Sequence, residues 1–65
     1  RLEEGAETIL SYLKKHQGIL HLTDNSKPEE IVSLLKMSKK NFKKSIGILY
    51  KQKLIALNEK NISLL

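Results

Sequence analysis

The sequence predicts a small α+β domain with three helices and three short strands. Three observations carry this. Apolar residues recur at helical spacing in three separate stretches. The second and third of these are joined by only a few polar residues. Two short apolar runs then close the chain around a four-residue polar turn. With 65 residues, the chain forms one domain (residues 1–65) near the lower limit for independent folding, burying roughly 60% of the surface that its unfolded form exposes. An apolar content of 40% suffices for one small core and argues against disorder. A deep catalytic cleft has little room.

Each element has its own local cause. Leu2, Ala6, Ile9, Leu10 and Leu13 define an amphipathic first helix over residues 2–16. Glu3, Glu4 and Glu7 near its start and Lys14 and Lys15 near its end suit the helix macrodipole. Gly18 ends it, as glycine does just past a last turn. "ILHLT", residues 19–23, alternates as a short strand does, and "DNS", residues 24–26, is turn chemistry. Ser26, Pro28 and Glu29 announce a short second helix over residues 28–36, with Ser26 as cap and Ile31, Leu34 and Leu35 as its apolar face. Met37 and Ser38 connect tightly to a third helix that Ser38 caps and that runs to Gln52. "LIAL", residues 54–57, and "ISLL", residues 62–65, form a hairpin around residues 58–61.

The order helix, strand, helix, helix, strand, strand contains a helix-turn-helix, and the closing hairpin makes it a winged helix. An isolated two-stranded hairpin is marginal in water. The early strand is therefore expected to join it as the third strand of an antiparallel sheet.

Charge is the main functional signal. The formal net charge is +5, which favours polyanionic partners. No acid lies between Glu30 and Glu59, and those 28 residues hold seven lysines. On the third helix, rotation of about 100° per residue sets Phe42, Ile46 and Leu49 toward the core. Lys40, Lys44, Gly47 and Lys51 fall on the opposite face, Lys43 and Ile48 on the flanks, and Lys39 in the first turn near the core edge. Lys39 repels Lys43 and Lys40 repels Lys44, an arrangement that an ordinary solvated helix avoids. Lys39, Lys40, Lys43, Lys44 and Lys51 are thus the candidate nucleic-acid-binding residues. Base-edge readout in duplex DNA favours Arg, Asn and Gln, whereas lysine acts mainly as a point charge. The stripe therefore suits backbone phosphates.

Other candidates are weaker. Tyr12 and Tyr50 could stack on bases, or pack at the edge of the core with wet hydroxyls. His16 and His21 without a third close ligand make a poor metal site. His21, Asp24 and Ser26 do not make a triad, since nothing supplies an oxyanion hole or a pocket. Gly47 leaves the outer face open to close approach by a phosphate or a neighbouring domain. The chain contains no cysteine, so it has neither disulfides nor a thiolate metal site, and no apolar run approaches a membrane span. No cofactor is called for.

"SKPEEI" followed by "MSKKNFKKSIGILYKQKLI" resembles the C-terminal winged-helix domain of the bacterial conserved virulence factor B family. That pattern is a proline–glutamate helix start, then Ser-Lys-Lys-x-Phe-Lys-Lys, then Ile or Leu-Gly-x-Leu-Tyr-Lys. Pro28, Glu29, Ile31, Ser38, Lys39, Lys40, Phe42, Lys43, Lys44, Ile46, Gly47, Leu49, Tyr50 and Lys51 match it, over residues 26–55. Lys27 stands where the family often has a short capping residue. The resemblance implies a C-terminal fragment of a longer cytoplasmic protein, with tandem OB-fold RNA-binding domains ahead of it and a regulatory, non-enzymatic role. RNA is then the implied partner, held by backbone contacts. Two alternatives stay open: a DNA-binding transcription regulator, and a structural or protein-interaction module in which Gly47 and Ile48 meet a partner.

Overall fold

The computed structural model describes residues 2–65. Its elements are helix α1 (Glu4–Lys15), strand β1 (Ile19–Leu20), helices α2 (Pro28–Leu35) and α3 (Lys39–Lys51), and strands β2 (Ile55–Leu57) and β3 (Ile62–Leu64). The order is the expected one. The three strands form an antiparallel sheet with β3 in the middle, in the order β1-β3-β2.

α1 buries Gly5, Ala6, Ile9 and Leu13. Its end is closed by the Gly18 N–H donating to the Leu13 carbonyl at 2.7 Å, with Gln17 and Gly18 both at positive φ (60° and 81°). Gly18 is the residue that bears such a backbone without steric cost. At the same end His16 stacks on Tyr12, ring centroids 3.8 Å apart, and its Nδ1 lies 2.8 Å from the Tyr12 carbonyl oxygen. A carbonyl only accepts, so Nδ1 carries the proton.

β1 is shorter than the strand expected over residues 19–23. Ile19 pairs with Ser63 and Leu20 with Ile62. The next partner in register would be Asn61, which already belongs to the hairpin turn, so pairing stops. Leu20 and Leu22 are nevertheless both buried and His21 points out, as the alternation predicts. Thr23 enters a turn in place of the strand. Its N–H donates to Ser26 Oγ at 2.9 Å, and the Ser26 N–H donates back to its carbonyl at 3.1 Å.

That turn corrects the expected cap of α2. Ser26 is occupied by Thr23, and Lys27 takes the N-cap position. A lysine ammonium has no lone pair to accept a helix N–H. Only half of a capping box forms, the Glu30 carboxylate accepting from the Lys27 N–H at 3.1 Å. Pro28 begins the helix, where its missing N–H costs nothing. Ile31 and Leu35 are buried one turn apart, but Leu34, expected on the apolar face, is 44% exposed. An eight-residue helix presents only one narrow stripe to the core, and Leu34 falls on its flank.

Lys36 ends α2 in the left-handed region (φ 59°), its N–H donating to the Val32 carbonyl at 2.9 Å. Ser38 then caps α3 as expected, accepting from the Asn41 N–H at 3.2 Å. Phe42, Ile46 and Leu49 enter the core with Ser45 beside them. Among the described residues the core gathers these with Ala6, Ile9, Leu13, Leu20, Leu22, Ile31, Leu35, Ile55 and Ile62. The hairpin turn is held by Asn58, whose N–H donates to the Asn61 carbonyl at 2.9 Å and whose amide nitrogen donates to Asn61 Oδ1 at 2.8 Å and to Ser63 Oγ at 3.1 Å.

Candidate nucleic-acid interface

α3 is anchored by a fully buried Phe42 and by packing of its buried face against α1, α2 and the sheet. That anchorage fixes the direction of every lysine on the helix. Lys40, Lys43, Lys44 and Lys51 are exposed, and Lys39 is half-buried at the first turn. Three of the five, Lys40, Lys44 and Lys51, share the outward row, while Lys39 and Lys43 stand off it by rotation about the helix.

One lysine is not simply solvated. Lys44 Nζ lies 3.4 Å from a Glu3 carboxylate oxygen at the start of α1. The pair is open to water, the lysine 69% and the glutamate 34% exposed, so it contributes at most about 1 kcal/mol. It still lowers the local positive potential and draws Lys44 toward α1. The other Glu3 oxygen accepts a long bond, 3.4 Å, from Ser45 Oγ. Ser45 is fully buried because Gly5 lets α1 approach α3 at that point, and a Cβ on Gly5 would collide with the serine hydroxyl. The sequence reading missed this junction. A glycine inside the apolar face of the first helix was the available signal.

Gly47 faces open space, and a Cβ there would meet no atom within 4 Å. Its backbone is helical, so the fold does not demand a glycine. Ile48, proposed with it as a partner contact, is half-buried against the core. Tyr12 has one ring face covered by His16, whereas Tyr50 is 57% exposed near the end of α3.

The other side of α3 borders the hairpin. A notch of about 200 Å³ opens there, lined by Thr23, Asp24, Ile46, Leu57, Asn58 and Ile62. It joins the turn before α2, the middle of α3 and the base of the hairpin turn, three segments far apart in the chain. No helix among the described residues is long and apolar enough to cross a membrane.

Comparison with known proteins agrees with this architecture. Residues 7–64 match the model of the CvfB-like winged helix domain. The chain is 41% identical over 64 residues to "Conserved virulence factor B" of Staphylococcus aureus strain USA300, covering 98% of the chain. The same-named proteins of Staphylococcus haemolyticus and Staphylococcus saprophyticus are 41% and 39% identical over the same length. The chain spans 21% of the length of these curated relatives. Among solved structures, a multidomain protein with nucleic acid binding domains from Streptococcus pneumoniae superposes with a TM-score of 0.95 at 35% identity, over 100% of this chain and 23% of that one. The winged helix, the order of its strands and the identity along almost the whole chain lead to one assignment: the chain belongs to the family of CvfB-like winged helix domains.

Proposed function

We infer that this domain contributes a lysine-rich surface to RNA binding by a longer, cytoplasmic, multidomain protein, in a non-catalytic role. The observation that carries the reading is the 28-residue acid-free interval, five of whose seven lysines are displayed by one anchored helix. The solved neighbour is a multidomain protein with nucleic acid binding domains, which supports further domains in the same chain and a composite surface. OB folds ahead of this domain are what the family resemblance implies. Lysine without arginine at the helix surface favours phosphate contact over base-edge readout of a duplex.

The test is a salt titration of single-stranded RNA binding beside duplex DNA, with wild type and a Lys40→Glu/Lys43→Glu/Lys44→Glu variant. Three to five phosphate contacts give a log–log salt slope of about −2 to −3.5 on a single strand. The variant should lose most of the affinity and the slope. Unchanged affinity in a folded variant defeats the reading, and affinity confined to one duplex sequence favours a DNA regulator.

A further inference from the structure

We propose that the contact face is turned from the outer lysine row toward the hairpin, where the notch beside α3 takes one unstacked base of a single RNA strand. This rests on the RNA-binding reading above and specifies its ligand.

Lys39, Lys43, Ile46 and Tyr50 lie at spacings of four, seven and eleven residues from Lys39, so they form one stripe along α3. Ile46 lines the notch, which places the whole stripe on the hairpin side. Lys43 precedes Ile46 by three residues and Tyr50 follows it by four, about 4.5 and 6 Å along the axis. A cation and an exposed aromatic ring therefore bracket the notch along α3.

The notch itself is built for a base and against a phosphate. Its floor is Ile46 and Ile62, both buried, and its wall is Leu57, 45% exposed. Leu57 is the side chain with surface to offer as an apolar contact to the flat face of a ring, while Ile46 and Ile62, 4% and 1% exposed, close the bottom. The rim carries the Asp24 carboxylate, which repels a phosphate. The Asn58 amide nitrogen already donates to Asn61 and Ser63, which leaves its side-chain oxygen, an acceptor, for a new partner. An acceptor-rich rim suits the N–H donors on the Watson–Crick edge of an unpaired base. At about 200 Å³ the notch is smaller than the roughly 300–1,000 Å³ of a pocket for a drug-sized ligand. One base fits that scale. The backbone phosphates would then meet Lys39 and Lys43, and the next base would lie on Tyr50. The outer row, by contrast, has Lys44 drawn to Glu3.

The experiment measures affinity by fluorescence anisotropy for a short single-stranded RNA, the same strand made abasic, and an RNA duplex. The variants are Tyr50→Ala, Leu57→Ser, Tyr50→Phe, Lys39→Glu/Lys43→Glu and Lys40→Glu/Lys51→Glu, each checked for folding by circular dichroism. Tyr50→Ala should weaken the base-containing strand about 5- to 150-fold, the range of one stacked base, and leave the abasic strand unchanged. Leu57→Ser should act in the same direction, and Tyr50→Phe should bind as wild type does. Lys39→Glu/Lys43→Glu should cost more than Lys40→Glu/Lys51→Glu. If Tyr50→Ala and Leu57→Ser leave the strand unaffected while either lysine pair weakens it, the notch proposal fails and the RNA reading stands. If neither lysine pair changes affinity, both fail. A duplex bound as tightly as the single strand also overturns the notch.

Discussion

Gly5 and Gly47 both lie within helices, and the same substitution at each should act with opposite sign. At Gly47 an added methyl meets open space. Gly47→Ala therefore gains helix propensity without a steric penalty, about 1 kcal/mol. At Gly5 the methyl would collide with the buried Ser45 hydroxyl, with Glu3 Oε1 and Asn41 Nδ2 close by at 3.2 and 3.3 Å. Two responses are open to the protein. Ser45 can rotate, giving up its bond to Glu3 and leaving a buried hydroxyl unpaired, which costs about 1–3 kcal/mol. Otherwise α1 moves off α3, an overpacking cost of similar size. Gly5 is in the first turn of α1, where the propensity gain is below its interior value. The net loss should be roughly 1–2 kcal/mol by the same bookkeeping. Urea unfolding followed by circular dichroism separates the two variants, and thermal midpoints should shift by about 4–8 °C per kcal/mol in a domain of this size. Gly5→Ala in a Ser45→Ala background should lose most of its penalty, a coupling of about 1–3 kcal/mol. A Gly5→Ala protein as stable as wild type, or no coupling to Ser45, would refute the close-approach argument.

Other outcomes follow from single positions. Ser38→Ala should cost about 0.5–2 kcal/mol by removing the cap of α3, read as a lower urea midpoint with unchanged slope. Lys36→Gly should stabilise by about 1 kcal/mol, because Lys36 sits at φ 59° and glycine bears that backbone without strain. Leu34→Gln should stay within about 0.5 kcal/mol, whereas Leu35→Ala should cost about 2–5 kcal/mol, both measured by the same unfolding assay.

Much of the fold was legible because its causes are local. The Ser38 cap, the early Pro28, the Gly18 helix end and the period of Phe42, Ile46 and Leu49 each act within a few residues, and each appears where expected. The departures come from competing local bonds, from the length of an element and, for the strand, from a distant partner. Ser26 reads as a cap by composition, but Thr23 bonds its hydroxyl first. Leu34 reads as core by spacing, but a short helix with two anchors leaves it on the flank. The early strand reads as five residues, but its partner strand turns away after Ile62.

The candidate interface divides along the same line. Composition and helical rotation by themselves determined a positive helix surface, its lack of arginine and its anchoring by Phe42, because charge and periodicity are carried by neighbours in the chain. Only the tertiary structure decided what stands beside that surface. It set Glu3 against Lys44 across 41 positions of sequence (44 − 3), let Gly5 admit Ser45 to the interior, and brought Asp24, Ile46 and Leu57 around one notch. Those contacts depend on how three helices and a sheet pack around one small core, and no local stretch of residues encodes that distance.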